Sequence, residues 1–196
     1  MSRRVGTFAS LILVTVLATA AQVKDGTDAP HSEGTFEEMC KAIKCAPAST
    51  IHIKMSDGKD LSVPAPAHPR VYKGEIRIML GETVYVEAEE KEGTLTNLRA
   101  VDEVTNPSQT LVFESFQKEL GSGEIHTFLG VHNPFSHYLR YRARISRLGQ
   151  GFSATSTCPV PSAKMSIETW PEPVVQTLIT DFQLFEPREG EKLECR

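Results

Sequence analysis

From Thr50 onward, hydrophobic and polar residues alternate with period two along most of the chain. Successive side chains of an extended strand point to opposite faces, so this alternation predicts a series of half-buried β-strands. Ile51, Ile53 and Met55 alternate with His52 and Lys54, Ser56-Asp57-Gly58-Lys59 supplies tight-turn residues, and Leu61 and Val63 continue on the return strand of a hairpin. The proline-rich run from Pro64 to Pro69 cannot donate a continuous ladder and reads as an extended crossover. Ile76, Ile78 and Leu80 then face one way, Gly81-Glu82 turns the chain, and Val84, Val86 and Ala88 face the core on the partner strand, leaving Tyr85, Glu87 and Glu89 outside.

Further strands are predicted at residues 94–101 and 110–116. A second hairpin is expected from Ile125: Ile125, Leu129 and Val131 on one face, His126, Phe128 and His132 on the other, with Asn133-Pro134-Phe135-Ser136 as its turn. On its return strand Leu139, Tyr141, Ala143 and Ile145 alternate with Tyr138, Arg140, Arg142 and Arg144. Residues 152–157, 164–170 and 174–185 are the remaining candidate strands. Only one segment has helical spacing. Thr35 and Glu38 form a capping-box pair, Phe36, Met39, Cys40 and Ile43 share a face, and the helix is expected to stop near Cys45, before Ala46-Pro47.

About nine or ten short strands with turn residues between them and no βαβ alternation predict a mainly β domain over residues 35–196. The expected architecture is an antiparallel β-sandwich, immunoglobulin-like, with one short N-terminal helix. A closed antiparallel β-barrel is the alternative, since period-two alternation fits both.

The N-terminus changes the picture of where this domain works. Arg3 and Arg4, the largely apolar stretch from Val5 to Leu17 and small residues at Ala18 and Ala20 read as a signal peptide over residues 1–21, followed by a flexible leader over 22–34. The apolar run is short and broken for a membrane span, and no second such run follows. The expected product is secreted or periplasmic and not membrane-spanning. Loss of Arg3 and Arg4 leaves 19 Lys+Arg against 25 Asp+Glu, so the formal charge moves from −4 to −6. That balance argues against nucleic acid, which draws on a basic surface.

Four cysteines, Cys40, Cys45, Cys158 and Cys195, in an exported chain favour disulfides. Three pairings are possible; the expected one joins Cys40 to Cys45 and Cys158 to Cys195. Chain entropy makes the short loop worth roughly 2 kcal/mol and the long one about 4 kcal/mol. Zinc is the rival, but Cys-x4-Cys with two distant cysteines lacks the paired knuckles of a structural site.

Motifs for catalysis or cofactors are missing: no Gly-x-Ser-x-Gly, His-Glu-x-x-His, phosphate-binding loop or Gly-x-Gly-x-x-Gly occurs, and no cofactor is expected. Gly121-Ser122-Gly123 reads as a turn rather than a nucleophile loop. A polysaccharide hydrolase would need two carboxylates, and 25 are present, but sequence cannot pair them. His132 and His137 flank the second expected turn, where their Cβ atoms would stand about 5 Å apart. They could bind Zn²⁺ or Cu²⁺ given a third ligand, whereas His126 and His132, six residues apart, would be roughly 20 Å apart.

The most one-sided surface feature is the row Arg140, Arg142, Arg144, extended by Tyr138. Alternate residues of a strand are about 6.8 Å apart, so the guanidiniums would make a stripe of about 14 Å able to hold an anionic polymer such as an acidic glycan. The competing expectation is that Glu87 and Glu89, outward on a neighbouring strand, neutralise the row. Trp170, beside Pro171 and Pro173, would either stack on sugar rings or plug the end of the core, the second being the more usual fate. The function that fits these readings is a non-catalytic binding or assembly module whose partner is a protein or an anionic surface polymer.

Overall fold

The computed structural model describes residues 36–41, 43–121 and 123–196. The expected signal peptide, the leader, Thr35 and Ser122 lie outside the described residues.

The first predicted hairpin forms in the expected register. Ser49–Lys54 (β2) pairs with Asp60–Ala65 (β3), Ile51 opposite Val63 and Ile53 opposite Leu61. Lys59 O accepts from Met55 N–H at 2.8 Å and Met55 O from Gly58 N–H at 2.9 Å, closing the turn. The apolar face of this hairpin packs on Met79, Leu80 and Val175 as a satellite core. Ahead of it, Cys45–Ala46 (β1) pairs with His68–Pro69 (β4).

The expected N-terminal helix running to near Cys45 is not supported: the described residues there show a single helical turn, Phe36–Met39 (α1). Cys40 and Cys45 are disulfide-bonded with Cα atoms 5.4 Å apart. Five residues of α-helix rise about 7.5 Å, beyond the roughly 4.4–6.8 Å that a disulfide spans. The bond and a helix reaching Cys45 exclude one another.

The remaining strands form one ten-stranded antiparallel sheet: Val71–Tyr72 (β5), Glu75–Met79 (β6), Thr83–Lys91 (β7), Thr94–Val101 (β8), Thr110–Glu119 (β9), Ile125–His132 (β10), Tyr138–Arg147 (β11), Phe152–Thr155 (β12), Met165–Trp170 (β13) and Val174–Phe185 (β14). The order is β12-β11-β14-β8-β7-β9-β10-β13, with β6 on β14 and β5 on β6. β12 and β13 end this path without pairing to each other, so the alternative of a closed barrel is overturned.

β14 organises the molecule. One of its edges carries β11 along its length; the other carries β6 through Gln176–Ile179, and then β8 at the single pair Gln183↔Thr94. Leu184 N–H reinforces that junction by donating to Gly93 O at 2.7 Å. Buried side chains from both sides of the junction meet in one core: Ile76, Leu139, Tyr141, Ile145 and Ile179 with Val84, Val86, Phe113, Leu129 and Val131. Each such side chain contributes about 1.5–3 kcal/mol by leaving water.

Two expected strand partnerships are corrected. β6 does not pair with β7, since Gly81-Glu82 carries the chain from β6 on β14 to β7 between β8 and β9. Likewise β10 pairs with β9 and β13, not with β11. Asn133 gives the physical reason. It is fully buried, its Nδ2 donates to His137 O at 2.8 Å and Pro161 O at 3.1 Å, and its Oδ1 accepts from Phe135 N–H at 3.1 Å. Those bonds fasten residues 133–137 to the segment before β13 as a corner rather than a hairpin turn.

Candidate functional site

Alternation along β11 buries Leu139, Tyr141, Ala143 and Ile145 and turns Tyr138, Arg140, Arg142 and Arg144 to the opposite, outer face. β14 lies beside it with Phe185 opposite Tyr138, Gln183 opposite Arg140, Thr180 opposite Arg142 and Leu178 opposite Arg144. β6 adds Arg77 on the far side of Leu178, so Arg77, Leu178 and Arg144 form one cross-strand row. A bulge falls between the Arg140 and Arg142 pairs, where Asp181 takes φ 57° and its side chain reaches the outer face.

The row is only partly neutralised. Arg142 Nε is 3.6 Å from Asp181 Oδ2, and both side chains are mostly exposed. Arg144 Nη2 donates to Glu75 Oε2 at 3.1 Å, but Glu75 Oε1 also accepts from Arg77 at 3.3 Å. The Arg140 guanidinium lies 4.3 Å from the Phe185 ring centroid, and its shielded Nε has no hydrogen-bond partner. Tyr138 meets Phe185 at 5.8 Å between centroids, and Arg144 lies 5.8 Å from the Phe152 ring. Burial, followed by the repulsion of Arg144, pushes the Arg77 guanidinium down, while Glu75 pulls it back up.

The neutralisation expected from Glu87 and Glu89 does not occur. Both belong to β7, whose neighbours are β8 and β9. Glu87 is bonded to Arg99 and accepts from Thr105 Oγ1 at 3.1 Å, and Glu89 accepts from Asn97 Nδ2 at 2.8 Å.

The other candidates are scattered. Without a β10–β11 hairpin, His132 stands opposite Val112 and Met165, while His137 has Glu90 at 3.7 Å and Glu186 at 3.8 Å. Among the described residues no group of three or more His, Cys, Asp or Glu is arranged to hold a metal ion. Trp170 is 7% exposed within the core, its Nε1–H donating to Thr155 Oγ1 at 2.9 Å, so its faces are not offered to a sugar. The cysteines are paired as expected, Cys40–Cys45 and Cys158–Cys195. Cys158 N–H donates to the buried Glu168 Oε1 at 2.7 Å, and Tyr141 O–H reaches the same oxygen at 3.3 Å.

Two depressions lie away from the arginines. One of about 580 Å³ at the base of the β2–β3 hairpin is lined by Ala48, Thr50, Pro64 and Pro66 and has no titratable group in its wall. The other, of about 530 Å³, is bordered by Glu89, Glu90, Ser108, Gln109, Phe135 and Ser136. Ser136 Oγ lies 3.3 Å from His137 Nδ1, and Glu90 Oε1 lies 3.7 Å from that same nitrogen, whereas a serine–histidine–carboxylate relay needs the serine and the carboxylate on opposite ring nitrogens. Arg77, Gln183 and Phe185 are the site residues that sequence reasoning missed. Their outward parity was readable from Ile76 and Ile78 and from Phe182 and Leu184, but their placement beside β11 was not. No helix among the described residues is long and apolar enough to cross a membrane. No known family, curated protein or solved structure matches the chain.

Proposed function

We propose that the chain is an exported, non-catalytic binding module of immunoglobulin-like β-sandwich architecture, and that its ligand is an anionic glycan lying across the outer face of β11, β14 and β6. The sandwich reading is supported by two runs of strands that share one core and join at a single residue pair. Two disulfides suit a secreted or periplasmic setting.

One observation carries the ligand: Arg140, Arg142 and Arg144 leave one strand in a row with, among the described residues, only the shared Glu75 and the exposed Asp181 as counter-charges. Guanidinium groups bind sulfate and carboxylate through paired N–H donors. The exposed Arg142–Asp181 pair is worth about 0–1 kcal/mol, so an incoming anion displaces it at little cost. Phe185 and Tyr138 hold Arg140 from below and leave an aromatic border. An overall acidic chain does not adsorb to an anionic matrix by net charge, which makes retention a local property.

Immobilised heparin, a sulfated glycan, is the test. The wild-type chain is expected to be retained and to elute with salt, and Arg142→Glu to elute earlier with an unchanged melting temperature. Equal elution of the two proteins overturns the assignment of the face.

A further inference from the structure

Strict alternation along β14 breaks at Asp181. Ile179 and Phe182 both face the core, an odd separation that a regular pleat forbids. The bulge takes up the extra residue: Arg142 is opposite Thr180 and Arg140 opposite Gln183, which leaves Asp181 and Phe182 together against Tyr141. Phe182 is buried, and Asp181 turns outward, its side chain 57% exposed, from a backbone with φ 57° that most side chains avoid. The result is an acid set into the middle of the arginine row. Glu75, the row's other described counter-charge, is mostly covered and divides its oxygens between Arg77 and Arg144. Asp181 is different. It stands 3.6 Å from Arg142 Nε, beyond hydrogen-bond distance, so its carboxylate stays open to an incoming donor.

We infer that Asp181 determines which anionic glycan this face takes, selecting a chain in which acidic sugars alternate with uncharged, hydroxyl-bearing ones over a chain sulfated at every sugar. The inference rests on the reading of the face as a glycan site. Opening the Arg142–Asp181 pair frees the guanidinium, but the carboxylate is held by the bulge backbone and stays beside it. A second anion placed on Arg142 therefore stands close to a like charge, and that repulsion offsets much of the guanidinium's attraction. A sugar hydroxyl at the same place donates to Asp181 instead, in a hydrogen bond strengthened by the charge of its acceptor. Arg140 and Arg144 lie on either side, four residues apart or roughly 14 Å along the strand. Both have guanidinium donors to spare, Arg140 resting on the Phe185 ring and Arg144 sharing Glu75 with Arg77. The face thus reads acid, hydroxyl, acid, and its specificity is built from a repulsion as much as from an attraction.

Two forms of one polymer test it: heparin, and heparin stripped of its sulfates and N-acetylated, which keeps one carboxylate per disaccharide. Dissociation constants for both are measured by isothermal titration calorimetry on the wild-type chain, Asp181→Asn and Arg142→Glu. Asparagine tolerates the left-handed backbone as aspartate does, so Asp181→Asn removes the charge, leaves the bulge and keeps the thermal melt unchanged. This variant is expected to bind heparin more tightly and the desulfated polymer more weakly, changing the ratio of the two dissociation constants by about fivefold or more. An unchanged ratio, including equal tightening on both polymers, overturns the inference, because Asp181 would then only dilute the positive charge. That result leaves the glycan face standing as long as Arg142→Glu weakens both complexes. If the wild type and Arg142→Glu bind heparin alike, the face itself is not the site and the inference falls with it.

Discussion

Glu168 carries a carboxylate into the interior, where the residue is 8% exposed. Burial raises its pKa above the ordinary 4.5, against the Cys158 N–H and Tyr141 O–H hydrogen bonds that favour the charged form. The folded chain therefore holds this proton more tightly than the unfolded one. The stability it contributes is complete below the unfolded pKa and is lost as pH rises through the folded pKa. Glu168→Gln keeps an oxygen for both donors and removes the titration. Its melting temperature relative to wild type is expected to increase as pH rises from about 4.5 toward neutrality, measured by thermal melts in matched buffers; a difference constant across that window contradicts the assignment. None of this was legible in the sequence, where Glu168 was one of 25 acidic residues on a strand whose inner face could not be tied to Tyr141.

Individual elements show what local patterning can and cannot convey. The β2–β3 hairpin was readable because its turn residues and both strands are contiguous and its register follows from the turn. The same reasoning failed for β10 and β11, since alternation reveals which face is buried but not which strand lies alongside. Asn133, a plausible turn residue by type, bonds to Pro161, 28 residues away. The lost helix was, by contrast, open to correction in advance: the expected Cys40–Cys45 bond was already incompatible with a helix running to Cys45.

The Glu92-Gly93 turn joins β7 to β8 and also supports β14. Gly93 has φ 73°, and a Cβ there would lie 3.2 Å from Leu184 O. Gly93→Ala is expected to lower stability by about 1–2 kcal/mol in urea unfolding, from the left-handed backbone cost alone. Removing Cys158–Cys195 by a double serine substitution is expected to cost up to about 4 kcal/mol. Hydrogen exchange should then lose protection at Thr157 and Arg196 before β11 does; equal loss throughout the sheet would contradict a local role for the tail.

At the scale of the whole molecule, the arginine row was legible and its surroundings were not. Outward parity along β11 follows from four buried partners, and the structure keeps it. The order of strands is set by long-range pairing through β14, and that order moved Glu87 and Glu89 off the arginine face while bringing Arg77, Gln183 and Phe185 onto it. The expected neutral surface thereby becomes a cationic one with an aromatic border on an acidic molecule. The most direct test is a titration of the ¹⁵N-labelled chain with a soluble sulfated glycan, followed by NMR with the arginine side-chain Nε–H signals included. The account requires saturable shifts confined to Arg140, Arg142, Arg144, Gln183 and Phe185, weakening as salt rises. Shifts centred on another surface, or none at glycan excess, would contradict it.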